Sequence, residues 1–245
     1  MTSHAFAACT VITKNRLAYA RVLAASFLHH HPDTPFFVLL VDRVDGYVSL
    51  ESEPFEVLTL ESLGIADIWT LCFQYNAFEL ACAVKPHLLR ALLDQRGFSK
   101  VVYLDADILL LESLTEVVQH LDRHSIILTP HLTVDLPNDN LKPTARDILD
   151  SGNFNGGFIA VGDDPPARQF LDWIASRLQK DGLADLSRGQ FVDQRWLSLV
   201  PGLFKGVHVL RHPGHNAGYW RLPGCRIEEA EGNRILIDEI GRAHV

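Results

Sequence analysis

The chain has 245 residues, 47% hydrophobic and 21% charged, enough for one large domain or two small ones that bury a core without staples. Its formal net charge of -8 excludes a general nucleic-acid binder, which needs a basic footprint. No apolar run approaches the ~20 residues of a membrane helix, the N-terminus lacks a secretory-signal layout, and the four cysteines show no CxxC spacing, so the default setting is reduced and cytoplasmic.

Phe6 to Ile12 is an apolar run of strand length. After the loop Thr13-Lys14-Asn15, apolar residues at Leu17, Ala20, Leu23, Ala24, Phe27 and Leu28 predict a helix over 16–30. It ends in His29-His30-His31, where neighbours splay about 100° apart. Those rings are better read as favourable charge at a helix C-terminus than as a joint metal site. Pro35 to Val41 and Phe55 to Leu58 predict the second and third strands. Strand, helix, strand is the opening of a parallel α/β sheet, whose ligands gather at the strands' carboxyl ends. Thr13 and Asn15 sit at such an end, where they can hold a base or ribose, or simply cap the helix.

Asn76-Ala77-Phe78-Glu79 reads as a capping box launching a helix through Leu92, which Pro86 should break near Lys85. A break there can swing the Lys85 ammonium toward a site. Val101 to Leu111 then delivers Asp105 and Asp107 inside an apolar run. If both lie in a strand, their side chains share one face. Two like charges there call for a neutralising partner, such as a divalent cation with a bound phosphate. The alternative is one aspartate capping the next element while the other is solvated.

Ser113 to Glu116 is a second capping-box pattern, and Ser125 to Leu128 a strand. Pro130 to Pro143 is polar and aperiodic, and reads as a long loop, either an active-site flap or an acceptor-side wall. In Asn153 to Val161 two glycines permit close approach to a ligand between amide side chains, or else make a hairpin turn. Asp164-Pro165 starts a helix carrying Phe170, Trp173, Ile174 and Leu178. Ser187 to Gln190 is a third capping pattern, with Asp193-Gln194 in the first turn of the helix behind it. His212 to Trp220 follows a strand at Val207 to Leu210 and mixes polar and aromatic residues in a way that suits a sugar diphosphate.

Together these pieces, in this order over roughly residues 6 to 222, resemble the sugar-nucleotide-dependent GT-A fold glycosyltransferases, most closely the family 8-like group. They are Thr13-Lys14-Asn15 with Arg21, Glu79 to Pro86, Tyr103 to Asp107, Asn153 to Gly157, Asp193-Gln194 and His212 to Trp220. The resemblance implies a Rossmann-like α/β fold with a mixed, mostly parallel sheet flanked by helices. It also implies a UDP-sugar donor, Mn2+ or Mg2+ on its diphosphate, and an acceptor that is carbohydrate, lipid-linked or protein. Thr13 and Asn15 would hold the uridine, and Tyr103, Leu104 and Ala106 would lie beside base and ribose. Lys85 would reach the diphosphate or sugar. Asp105 and Asp107 would bind the metal, Asp107 chiefly. Asn155, Gly156, Gly157, His212 and Asn216 would line the donor pocket, and Asp193 and Gln194 would sit at the reacting carbon of a retaining enzyme.

Such families place a metal-binding histidine near the C-terminus. Here residues Glu239 to Val245 spell what a sequencing adapter encodes, so a single domain over 1–238, continuing past about Asp238 in the natural chain, is expected. The recorded chain would then be weakly active or inactive. Two alternatives stand beside this reading: a sugar-nucleotide binder without catalysis, and a haloacid-dehalogenase-type phosphatase, with Gly162-Asp163-Asp164 as its later acidic motif.

Overall fold

The computed structural model describes residues 6–44, 51–139, 141–230 and 234–237. Asp238 and the adapter-like tail lie outside them. In chain order the main elements are β1 (Ala7–Ile12), α1 (Leu17–His30), β2 (Phe36–Leu40), β3 (Glu56–Thr59), α2 (Ile68–Gln74), α3 (Ala77–Ala83), α4 (Lys85–Asp94) and β4 (Lys100–Leu104). They continue with α5 (Thr115–His120), β5 (Ile126–Pro130), α6 (Ala145–Ser151), β6 (Phe154–Gly162), α7 (Pro165–Leu178), β7 (Ala184–Asp185), β8 (Gln190–Phe191), α8 (Val192–Leu197), α9 (Val200–Leu203) and β9 (Val207–Val209). A hairpin of β10 (Ile227–Ala230) and β11 (Arg234–Ile237) follows.

Seven strands form one sheet in the order β3-β2-β1-β4-β6-β5-β9. β1 to β4 run parallel, β9 runs parallel to β5, and β6 alone is antiparallel to its neighbours β4 and β5. This is the mixed, mostly parallel α/β sheet expected. Because β1, β2 and β4 are covered on both sides, all their residues except Lys100 are buried, as parallel strands require. One face packs Tyr103 and Cys9 against α4, α7 and α8, through Leu88, Leu92, Phe170, Ile174 and Leu197. The other packs Val102, Leu104 and Ile127 against α1 and α5, through Leu23, Phe27 and Val117.

Pro86 splits the long predicted helix as expected. The α3 segment starts on a true capping box, in which Asn76 accepts from Phe78 N and Glu79 N while Glu79 returns a bond to Asn76 N. The chain breaks at Val84 and α4 restarts with Lys85 at its first position.

The other two capping patterns do not cap. The Ser113 hydroxyl turns to Thr115 at 3.1 Å, and Leu114 N donates instead to His31 Nε2 at 2.8 Å. At Ser187 the chain makes a 3-10 turn capped by Asp185, reverses at Gly189 (φ +69°) into β8, and enters α8 through Phe191. The Asn153 to Val161 stretch is a long strand, its glycines inside β6 rather than in a hairpin turn.

Candidate active site

The carboxyl ends of β1 and β4 and the start of α4 enclose a cleft of about 330 Å3, within the range of small-ligand sites. Thr13, Asn15, Lys85, Tyr103, Asp105, Ala106 and Asp107 all line it. Seven of the predicted site residues, drawn from three separate segments, thus meet in one place.

The aspartates do not reach it from a strand. β4 ends at Leu104, and Asp105 to Asp107 form the turn beyond it, with Asp105 N bonded to Gly157 O at 2.8 Å and Ile108 N to Asp105 O at 3.1 Å. The period-two argument for a shared face therefore fails. What brings the two carboxylates together is the turn, held to β6 from the side. Leu104 is fully buried with its side chain in the sheet's other face, so only its backbone can meet a ligand.

Lys85 is the centre of the charge network. Its Nζ lies 3.0 Å from Asp193 Oδ2 and 3.4 Å from Asp105 Oδ1, donates to Gly156 O at 2.9 Å, and stands 4.8 Å above the Tyr103 ring. Burial disfavours the ammonium, but the two carboxylates outweigh it and hold the Lys85 pKa well above its ordinary value. Tyr103 donates its hydroxyl to Asp105 Oδ1 at 2.7 Å. Burial, then the neighbouring Asp105 charge, pushes the phenol pKa well up, so Tyr103 remains a donor. Asp107 is exposed at the rim, and desolvation by the surrounding protein followed by the Asp105 charge raises its carboxyl.

β6, α8 and Asn216 lie behind the cleft lining, so Asn155, Gly156, Gly157, Asp193, Gln194 and Asn216 meet it only through Lys85 and Asp105. Gly157 cannot carry a side chain, since a Cβ there would stand 2.5 Å from Asp105 Oδ2, and one at Gly156 would stand 2.9 Å from Asp193 Oδ2. The Asn155 side chain accepts from Gly157 N at 2.8 Å and donates to Asn216 Oδ1. Asn216, left-handed at φ +57°, donates in turn to Pro130 O at 3.1 Å. Gln194 accepts from Gly156 N at 3.3 Å and donates to Ser151 O at 3.0 Å, clamping β6 to α6. Asp193 is 2% exposed, and burial raises its pKa although Lys85 opposes the shift. It follows Val192, a β-branched residue at φ +40°, where strain is tolerated only because the surroundings impose it.

His212 lies outside the cleft lining. Its ring meets His215 at 5.2 Å, and with Glu116 and His215 it forms a separate group. Arg21 is also elsewhere, paired with Glu53 at 2.6 Å. The cleft adds residues that sequence reasoning missed: Arg16, Phe78 and Cys82. Arg16 closes the 3-10 turn before α1 and lowers the Asp107 pKa by its charge. Phe78 presents an exposed aromatic face from α3. Only the last of these had a signal in the sequence, an aromatic one residue past a helix start, and nothing in the chain pattern said which way it faced.

The donor set fits a hard divalent cation. Asp105 and Asp107 offer carboxylate oxygens on one cleft, and desolvation followed by the Asp105 charge raises the Asp107 carboxyl, both of which a bound cation would offset. Among the described residues, the groups of three or more metal-ligating side chains lie elsewhere, so these two would hold the ion with ligand or solvent oxygens completing the shell.

No family model matches the chain. It is 25% identical over 235 residues to the uncharacterized protein YfnF of Bacillus subtilis strain 168, covering 94% of this chain and 77% of that one. The related YfnD of the same organism is 25% identical over 240 residues, covering 94% and 73%. In structure the chain is similar to the galactosyltransferase LgtC, solved with donor and acceptor sugar analogs, with TM-score 0.51, 18% identity, and coverage of 82% of this chain and 72% of that one. The chain has the GT-A glycosyltransferase fold. Among GT-A structures it is also similar to the glycosyltransferase GlyE of Streptococcus pneumoniae TIGR4, with TM-score 0.50, 15% identity, and coverage of 85% and 46%. Among the described residues no helix of this GT-A domain is long and apolar enough to cross a membrane.

Proposed function

We propose that the protein is a metal-dependent, family 8-like glycosyltransferase that takes a hexose from a nucleotide-sugar donor, a UDP-sugar, with retention at the reacting carbon. The observation that carries this reading is the Lys85 ammonium between Asp105 and Asp193, 2.9 Å from the Gly156 carbonyl, with Asp107 on the same cleft. A diphosphate needs fixed positive charge, and a chain of net charge -8 supplies it locally with Lys85, Arg16 and a cation on the two aspartates. In this reading Thr13 and Asn15 meet the uridine, Asp105 and Asp107 hold Mn2+ or Mg2+, and Asn155, Gly156 and Gly157 flank the sugar. Bound there, the metal would stabilise charge on the leaving diphosphate. Lys85 does the same from the protein side, and Asp193 lies under the sugar with Gln194 bracing the strand beside it.

Two tests check the reading. UDP should bind with Mn2+ and not after chelation, and Asp107→Asn should abolish the metal dependence. With the full-length protein a panel of UDP-sugars should then yield hydrolysis or transfer with one donor, and the anomer released reports the stereochemistry. Metal-independent UDP binding, or none, refutes the proposal. Binding without turnover on any donor by the full-length protein would favour the non-catalytic binder. The phosphatase alternative loses its residues: Asp164 caps α7 by accepting from Ala167 N at 3.0 Å, and Asp163 pairs with Arg168.

A further inference from the structure

Behind the sheet edge lies a group of side chains that this chemistry does not use. His120 ends α5, His124 follows one turn later with its N–H bonded to His120 O at 3.0 Å, and His208 stands in the middle of β9. Each offers a ring nitrogen, and those atoms all lie within 4.8 Å of one another. The His208 ring stacks on both others, with centroids 4.1 Å from His120 and 4.7 Å from His124.

We propose that His120, His124 and His208 form a second metal site, for an imidazole-preferring ion such as Zn2+, that clips the segment between α5 and β5 to edge strand β9.

The backbone brings the three residues together without the ion, and the stacked rings need only turn about their side-chain torsions to aim their nitrogens at it. Ser125 N and Ile126 N both bond Gly206 O, which sets β9 beside β5 and pairs His208 with Ile127. Glu116 Oε1 lies 3.6 Å from His120 Nε2, where a carboxylate orients a ligating imidazole or adds a fourth donor. Soft-to-intermediate nitrogen donors select Zn2+, Ni2+ or Cu2+, whereas the oxygen set of Asp105 and Asp107 selects Mn2+ or Mg2+. The sites are also apart. β9 is three strand spacings from β4, roughly 14 Å, and His208 shares the face of Ile127, opposite to that of Tyr103 and Lys85.

The test titrates Zn2+, and Co2+ as a spectroscopic stand-in, into the full chain free of any affinity tag. One equivalent should bind, raise the Tm and give the intense visible bands of nitrogen-ligated, tetrahedral Co2+. His208→Gln and, separately, His124→Gln should each weaken binding at least tenfold, while Asp107→Asn and His212→Ala leave it unchanged. The His124 variant covers the case that the strand substitution unfolds. Absence of binding, or binding unaffected by both glutamine variants, overturns the assignment. So does loss with His212→Ala alone, which would move the ion to the neighbouring Glu116, His212 and His215 group.

Discussion

Replacing Lys85 by methionine keeps an unbranched, largely apolar side chain one atom shorter and removes the charge at the centre of the network. At 3.0 Å from Asp193 the ammonium contributes about 5 kcal/mol of attraction at an effective dielectric of 20. The Asp105 carboxylate at 3.4 Å also raises the Lys85 pKa, but it is 41% exposed, so its share of the stability is discounted for solvent screening. The loss is capped by an escape route, because Asp193 can take up a proton. From the ordinary carboxylate range to pH 7 that costs about 4 kcal/mol. The single variant should therefore lose about 3–4 kcal/mol, a large part of a typical 5–15 kcal/mol total. Removing both partners, as Lys85→Met with Asp193→Asn, should recover most of it, since no charge is then left buried. Urea denaturation of the two variants and the parent at pH 7 measures the cycle. A single-variant loss below about 1 kcal/mol, or a double variant no better than the single, refutes the claim that Lys85 is held chiefly by Asp193.

Gly157→Ala forces a methyl against Asp105 Oδ2, and the carboxylate, tied by the Tyr103 hydroxyl, must shift. A stability loss of about 1–3 kcal/mol should come with loss of Mn2+-dependent UDP binding, read by calorimetry. Unchanged metal dependence would separate Asp105 from the ion. His131 is 5% exposed, and burial pushes its pKa down to about 4. A depressed histidine favours the fold fully above its unfolded pKa near 6.5 and loses that contribution as pH falls toward 4, about 3 kcal/mol in all. His131→Phe should flatten the acid limb of stability between those values, and a profile parallel to the parent's would refute it. Asn76→Ala removes a cap that serves two backbone donors and should cost about 1 kcal/mol in chemical denaturation.

Elements with their own periodicity were legible in the sequence. The apolar runs of β1, β2 and β4 and the stripe of α1 identify themselves, and Asn76 to Glu79 caps as its letters suggest. The same four-residue pattern at Ser113 fails because the helix starts one residue later, which puts Leu114 at the cap position and Ser113 outside it. At Ser187 it fails because Gly189 permits a reversal before any helix can start. The insertion of β6 between β4 and β5 was not legible, since it rests on register across the chain, Leu104 with Phe158 and Leu128 with Ile159. Arg16 and Cys82 were missed for the same reason, because only the tertiary fold turns them to the cleft. His212 shows the converse: polar and aromatic neighbours in sequence did not bring it to the cleft lining, and it groups with Glu116 and His215 instead.

The most informative residue was also the one that breaks a local rule. Helix starts favour acidic residues, because unpaired N–H groups put partial positive charge there. α4 has no acidic residue in its first turn and begins on Lys85 instead. A cation at that end, buried, is doubly unfavourable by itself. It persists because three other elements are shaped to accept it: the turn after β4 brings Asp105, the strained entry to α8 brings Asp193, and the glycine pair of β6 presents the Gly156 carbonyl. Each of these features is locally costly or permissive, and they offset one another only when assembled. A purely structural ion pair would not need the cleft to remain open beside it. Here Lys85 and Asp105 line an open cleft with the exposed Asp107, which supports the proposal that a diphosphate and its counter-ion bind there.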